Sequence, residues 1–257
     1  NAGVASLNAE GQQFLLHIKA FPENTTDTIV YTSADESIAT VTEDGKILSE
    51  KFINNGLTHS QTLMPMVEET LKDSGVSIKD IDLFAIANGP GSFTGVRIGI
   101  SAVKGMADAL NKKCIAVSTL EAIAEPLKNE DVIACAVMDA RCNQVYTALF
   151  KAENGAITRL CDDYAVSIDA LIDEIKKYDD KPIILAGDGA EICFGFMKDI
   201  PNIRLSSESR RYQRAYGASL AAQANGGLFA DSALLAPVYL RLPQAERELK
   251  LKKENLK

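Results

Sequence analysis

The chain has no tryptophan, two histidines and only 6% aromatic residues in 257 positions. Zinc and catalytic metal sites draw heavily on imidazole, and His17 and His59 lie far apart with no H-E-x-x-H between them. A histidine-pair metal centre is therefore not expected, and neither is any other metal site. The C-x-x-C pair is missing too: Cys114, Cys135, Cys142, Cys161 and Cys193 are odd in number and widely spaced. That pattern reads as buried free thiols of a reducing compartment, not a disulfide framework or a zinc ribbon. No apolar run approaches the roughly 20 residues of a membrane helix, and the first residues lack a basic segment followed by an apolar one. A cytoplasmic protein away from membranes is expected. Positive charge is also short: the formal net charge is -8 and the pI near 4.9. A broad nucleic-acid surface needs Lys and Arg to neutralise phosphates, so any nucleic-acid role should be indirect.

What is present is ample apolar content, 46%, against 24% charged residues, enough to bury a sizeable core. Single cores stop growing near roughly 250–300 residues, which favours two lobes.

Regular patterning starts after residue 28. Residues 29–32, 37–42 and 47–52 read as strands, with a turn at Glu43-Asp44-Gly45. Residues 58–72 carry Leu63, Val67 and Leu71 at spacings of four behind Thr58, which predicts an N-capped amphipathic helix. A buried strand at 82–87 leads into a glycine-rich turn and a long helix marked by Val96, Ile100, Val103, Ala107 and Leu110. Another strand is predicted at 114–117. The order then recurs: strands at 132–138, 144–150 and 156–160 with a turn at Glu153-Asn154-Gly155, a helix at 168–177, a strand at 183–186, and helices at 190–197 and 210–225. A β-β-β-α-β-α unit used twice is the plan of the α/β, ribonuclease H-like, actin-like ATPase folds with two lobes. The predicted division is an N-terminal extension at 1–28, lobes at 29–118 and 119–248, and a basic tail at 249–257.

The turn Gly89-Pro90-Gly91-Ser92-Phe93-Thr94-Gly95 joins strand to helix, where free backbone N–H groups and the helix dipole favour anions. A Walker A loop needs Gly-Lys followed by Ser or Thr, but Val96 and Arg97 follow Gly95; Thr94 stands where Gly-x-Gly-x-x-Gly needs its third glycine. Three readings stay open: an anion cradle, a tight turn whose Ser92 or Thr94 caps the helix, and a helix whose small residues Gly95, Gly99, Ala102, Gly105 and Ala109 admit a second helix closely. Glycine inside a helix costs about 1 kcal/mol relative to alanine, so these positions call for a packing reason. The preceding helix, with Leu57, Met64 and Met66 off its main stripe, also looks two-sided.

No Gly-x-Ser-x-Gly elbow exists, and Ser92 has no neighbouring histidine to activate it. Asp139, at the end of the second half's first strand, and Gly187-Asp188-Gly189, at the end of a later one, place two carboxylates where they face an interlobe cleft or simply form turns.

The string NGPGSFTGVRIGISAVKGMA from Asn88 resembles the signature of the TsaB (YeaZ) family, supported by GLTHSQTLMP, MDARCNQVY, AGDGA and PVYLRLPQAE. Gly89, Pro90, Gly91, Ser92, Thr94 and Gly95 form the signature loop. The resemblance implies a two-lobed actin-like fold and a non-catalytic scaffold subunit in the tRNA threonylcarbamoyladenosine pathway. It implies no cofactor, work beside a TsaD-type catalytic subunit and a TsaE-type ATPase, and a homodimer in isolation. It places the partner interface on the two helices named above, with Leu63, Met66, Val67, Arg97, Ile98, Ser101 and Ala102 as contacts. A vestigial nucleotide cleft would hold Thr32, Ser33, Asp139, Gly187, Asp188 and Gly189. One departure is Tyr31, where the family usually has the aspartate that positions metal and phosphate in nucleotide-using relatives. The alternative is an active ATP-dependent kinase or a glycopeptidase-like hydrolase of the same superfamily.

Overall fold

The computed structural model describes residues 27–32, 36–42, 45–53, 59–178, 180–226 and 229–241. The first half runs β1 (Asp27–Thr32), β2 (Glu36–Thr42), β3 (Ile47–Ile53), α1 (His59–Ser74), β4 (Ile81–Ala87), α2 (Phe93–Leu110), β5 (Lys113–Val117) and α3 (Thr119–Ala124). The second runs β6 (Val132–Asp139), β7 (Gln144–Glu153), β8 (Ala156–Arg159), β9 (Tyr164–Ser167), α4 (Ile168–Ile175), β10 (Ile183–Ala186), α5 (Ala190–Met197), β11 (Ile203–Leu205), α6 (Glu208–Arg211) and α7 (Ala215–Ala224). The sheets are ordered β3-β2-β1-β4-β5 and β11-β10-β6-β7-β8, and reversing the second gives β8-β7-β6-β10-β11. Strand for strand this is the first sheet again. The first three strands are antiparallel, the last two join in parallel in both halves, so the duplication read from sequence is the fold.

The short strands β9 and β11 and the six-residue α3 were not anticipated, being too short for a period to show. β9 shares β7's free edge with β8, pairing residues 144–147 while β8 pairs 150–153. The turn at Glu153-Asn154-Gly155 forms as expected, with Asn154 and Gly155 both left-handed. The turn residues Glu43 and Asp44, and the proposed cap Thr58, lie outside the described residues.

The central strands are buried on both faces, which explains their near-continuous apolar runs. On β6, Ile133, Cys135 and Val137 face α4 and α5, while Ala134, Ala136 and Met138 face α3. On β4, Phe84 and Ile86 face α1 and α2, while Ala85 and Ala87 face α7. Alanines thus recur on the faces that meet α3 and α7. These two helices are exchanged. α3 follows the first sheet but lies on β6 and β7; α7 follows the second but lies on β1, β2, β4 and β5, and the two pack on each other. A division of the chain at residue 118 therefore follows the sequence but not the packing of α7. Where they cross, a Cβ on Gly217 would stand 2.0 Å from the Ala122 carbonyl oxygen, an approach only glycine permits.

The predicted helix at 210–225 is broken. Tyr212 and Arg214 are extended, which turns Arg214 onto Glu50 of β3, with Nη2 donating at 2.9 Å and Nε at 3.4 Å. Glu50 also accepts from Tyr216 N, and Ser37 Oγ accepts from Ala215 N. The first lobe thus caps α7 with a carboxylate at its positive end. The mirror contact pins α3: its cap Ser118 donates to Asp163 Oδ2 at 2.5 Å, and Arg159 of β8 pairs with Asp163 and with Glu121 of α3 at 2.5 and 3.0 Å.

Candidate partner interface and interlobe cleft

α1 and α2 cover the outer face of the first sheet. The residues that fix them there are Leu63, Met66, Val67, Val96, Ile100, Val103 and Ala107, all buried in one cluster with Phe84 and Ile86. Leu63, Met66 and Val67 were expected at a partner surface; at 2–3% exposure they belong to the chain's own core. The spacing of four that marked Leu63 and Val67 is the core stripe itself, and Met66, read from the sequence as off that stripe, is buried with them. Ile98 and Ala102 are partly buried and packed on the same cluster, whereas Arg97 and Ser101 are exposed. The outward stripe of α2 is Thr94, Arg97, Ser101, Gly105 and Asp108, and that of α1 includes Gln61, Met64, Pro65, Glu68 and Glu69. Met64 is 49% exposed. Among the described residues a Cβ on Gly105 would meet no atom within 4 Å, so no packing between them requires this glycine.

The signature loop caps α2 through Ser92, whose Oγ accepts from Gly95 N at 3.3 Å while its carbonyl accepts from Val96 N at 2.9 Å. Thr94 is exposed and Gly95 buried. Gly89, at φ +131°, faces another part of the chain: a Cβ there would lie 2.4 Å from the Val238 carbonyl oxygen. The peptide from Gly89 to Pro90 is cis. Residues 229–241, for which the sequence suggested no element, form a strap along the first lobe. Ala230 pairs with Cys114, Leu235 enters the core, and Val238 N donates to Asn88 O at 2.8 Å. Tyr239 lies 4.9 Å from the Phe93 ring centre, accepts from Arg97 Nε at 2.7 Å, and leaves the Arg97 guanidinium 3.9 Å above Phe93. No periodicity marks this segment in the sequence, and of its apolar residues Leu234, Val238 and Tyr239 stay exposed while Leu235 is buried.

β1, β4 and β5 are parallel, as are β6, β10 and β11, so the carboxyl ends of each set share one edge, the place where open α/β sheets hold ligands. Asp139 and Asp188 meet there: Asp139 N donates to Asp188 Oδ1 at 3.1 Å, and Arg141 pairs with Asp139 at 3.1 Å. Enclosure by neighbouring atoms raises the Asp188 pKa, and the Asp139 charge adds to it, against hydrogen bonds from Asp139 N and Gly189 N. Gly187, at φ +112°, packs so tightly on β6 that a Cβ would overlap the Val137 carbonyl oxygen at 1.9 Å, and Gly189 is crowded by Met138 and Asp139 main chain. These glycines serve strand packing. Thr32 ends β1, and Ser33 lies outside the described residues. Among the described residues no cluster of three or more His, Cys, Asp or Glu is placed to hold a metal ion, and no helix is long and apolar enough to cross a membrane. Of the cysteines, Cys114, Cys135 and Cys193 are buried free thiols, burial pushing Cys114 to about 11 and Cys193 to about 12. Cys161 is half-buried, and Cys142, against expectation, is exposed in the β6–β7 turn.

A duplicated β-β-β-α-β-α chain with exchanged interlobe helices defines an actin-like protein of two lobes. The family described as TsaD, tRNA N6-adenosine threonylcarbamoyltransferase, matches residues 46–247. The chain is 30% identical over 220 residues to the tRNA threonylcarbamoyladenosine biosynthesis protein TsaB of Bacillus subtilis, covering 86% of this chain and 94% of that one. It is 42% identical over 101 residues to the protein of the same name in Escherichia coli, covering 38% of this chain and 44% of that one. The solved structure of YeaZ from Pseudomonas aeruginosa superposes with a TM-score of 0.66 at 25% identity, covering 84% of this chain and all of that one. The chain belongs to the TsaB (YeaZ) family.

Proposed function

We propose that the chain is a non-catalytic scaffold subunit in tRNA threonylcarbamoyladenosine biosynthesis, binding and activating a TsaD-type transferase through the outward faces of α1 and α2. The observation that carries this is the stripe Arg97, Ser101, Gly105 on α2, with Gly105 bare of any neighbour among the described residues. A glycine in mid-helix weakens the helix by about 1 kcal/mol, and close approach of a second helix supplies the reason to keep it. Membership of a family that shares its profile with the transferase supports a partner of related fold, and a relative named for the same pathway supports the process. In isolation the same face takes a second copy, and a TsaE-type ATPase joins the assembly. Contact with tRNA is indirect, as expected for a chain with net charge -8. The work is expected in the cytoplasm.

The face is tested by Gly105→Arg. Among the described residues nothing lies within 4 Å of the new Cβ, and arginine is a good helix former, so the variant unfolds at a temperature no lower than the parent's. Calorimetric affinity for the cognate TsaD-type subunit falls at least about 100-fold, the loss expected when a charged side chain is forced into a helix contact without a partner. Unchanged affinity moves the interface elsewhere.

A further inference from the structure

The strap touches two places that the fold otherwise keeps apart. Its middle lies on the signature loop: Val238 N donates to Asn88 O, Asn88 Nδ2 donates to the Ala236 carbonyl at 3.0 Å, and the Val238 carbonyl fills the space a side chain on Gly89 would need. Tyr239 then clasps the first turn of α2 through Arg97 and Phe93. Two residues on, Arg241 Nη1 donates to the Ala140 carbonyl at 2.6 Å, in the β6–β7 turn of the second lobe. Asn88 follows the end of β4 and Ala140 the end of β6, so six residues of chain bridge the carboxyl edges of both sheets. The turn at Ala140 is itself held in one shape, with Arg141, Cys142 and Asn143 all left-handed and Asp139 accepting from Arg141 N at 2.7 Å.

From this arrangement we infer that residues 236–241 are a tie transmitting the position of the β6–β7 turn to the first turn of α2. Tyr239 and Arg241 are positioning residues for the helix face that carries Arg97. The sequence chemistry fits. Pro237 lacks an N–H and favours extended backbone; Leu235 is buried in the first lobe's core and anchors the segment upstream. The Gly89 of the signature loop is then explained by the strap's close approach, without an anion. Because Arg97 shares its guanidinium between Phe93 and Tyr239, a shift of the strap moves a residue of the outward stripe. That last step, from the tie to partner affinity, rests on the α1–α2 face being the partner surface.

Hydrogen exchange on the full chain tests the tie without any partner. Arg241→Ala removes a contact that, among the described residues, is made to the second lobe, and the tie requires exchange to rise at least fivefold in peptides covering residues 87–97 of the first lobe, with the β10 peptide unchanged as an internal standard. A rise confined to residues 139–144, or none, overturns the proposal. Tyr239→Phe keeps the ring on Phe93 and deletes the hydroxyl that accepts from Arg97; exchange at 93–97 should rise while the β6–β7 turn stays as it was, and no change there also overturns the proposal. Affinity for the TsaD-type subunit should fall about tenfold in Arg241→Ala. If exchange changes as stated but Gly105→Arg leaves affinity intact, the partner face is misassigned and the tie stands.

Discussion

The two lobes repeat one topology yet clothe it differently. In the first, the outer helices α1 and α2 run for 16 and 18 residues; in the second, α4 and α5 have 8 each. At 1.5 Å per residue α2 is about 27 Å long and α5 about 12 Å. Eight residues suffice to cover a sheet, as α4 does by burying Ile168, Leu171 and Ile175. The extra turns of α2 extend an outward stripe of small and polar residues. Duplication thus accounts for the cores, and the departure from it is the outward stripe on which the scaffold proposal rests. The equivalent strand-end turns teach the same lesson. Gly187 makes room for the neighbouring strand of its own sheet, Gly89 for the strap from the far end of the chain.

The exchanged helices are where the symmetry breaks first. Gly217→Val drives a branched side chain into the Ala122 carbonyl and should lower stability to urea by about 3 kcal/mol or more, because neither backbone can retreat. A loss under about 1 kcal/mol would mean that the lobes are held by something other than the α3–α7 crossing. The two pinning contacts sharpen the comparison. Glu50 is 13% exposed and gathers donors from Arg214, Tyr216 and Ser37, so Glu50→Gln, which leaves Arg214 without its counter-charge, should cost about 2 kcal/mol. Arg159 is 31% exposed, and Arg159→Gln should cost less.

Gly105→Ala has the opposite sign: with open space around the Cβ it should add about 0.5–1 kcal/mol in urea unfolding of the isolated chain, whereas Gly217→Ala destabilises. The smallest effect concerns Glu125, whose side chain is 4% exposed beside Lys128 at 3.7 Å. Burial raises its pKa above the ordinary 4.5, and the Lys128 charge opposes the shift. A carboxyl raised in the fold holds its proton where the unfolded chain has lost it, so its favourable contribution is complete below about pH 4 and is lost as pH climbs through the folded value. Glu125→Gln should therefore melt higher than the parent at pH 7, with the gap closing toward pH 4 as scanning calorimetry follows both.

Much of this was legible in the residues. Apolar spacing placed α1 and α2, the turn at Asn154-Gly155 placed a hairpin, and the repeated order of elements gave the architecture. The family resemblance, not the spacing, placed Leu63, Met66 and Val67 at a partner surface; the spacing puts Leu63 and Val67 on the core stripe, where all three are buried. The break between α6 and α7 was hidden. Arg214 leaves the helix to meet Glu50, which lies on another lobe and 164 positions earlier, and no local propensity records that contact. The strap has no period at all; its form follows from Asn88, Gly89 and the Phe93 ring.

The most direct test of the scaffold reading is light scattering of the full chain mixed with its cognate TsaD-type subunit, followed by threonylcarbamoylation of tRNA in the same mixture with a TsaE-type ATPase supplied. The account predicts a complex of one copy each, and modification that appears only when this chain is present. No complex, together with ATP turnover by this chain alone, would contradict it.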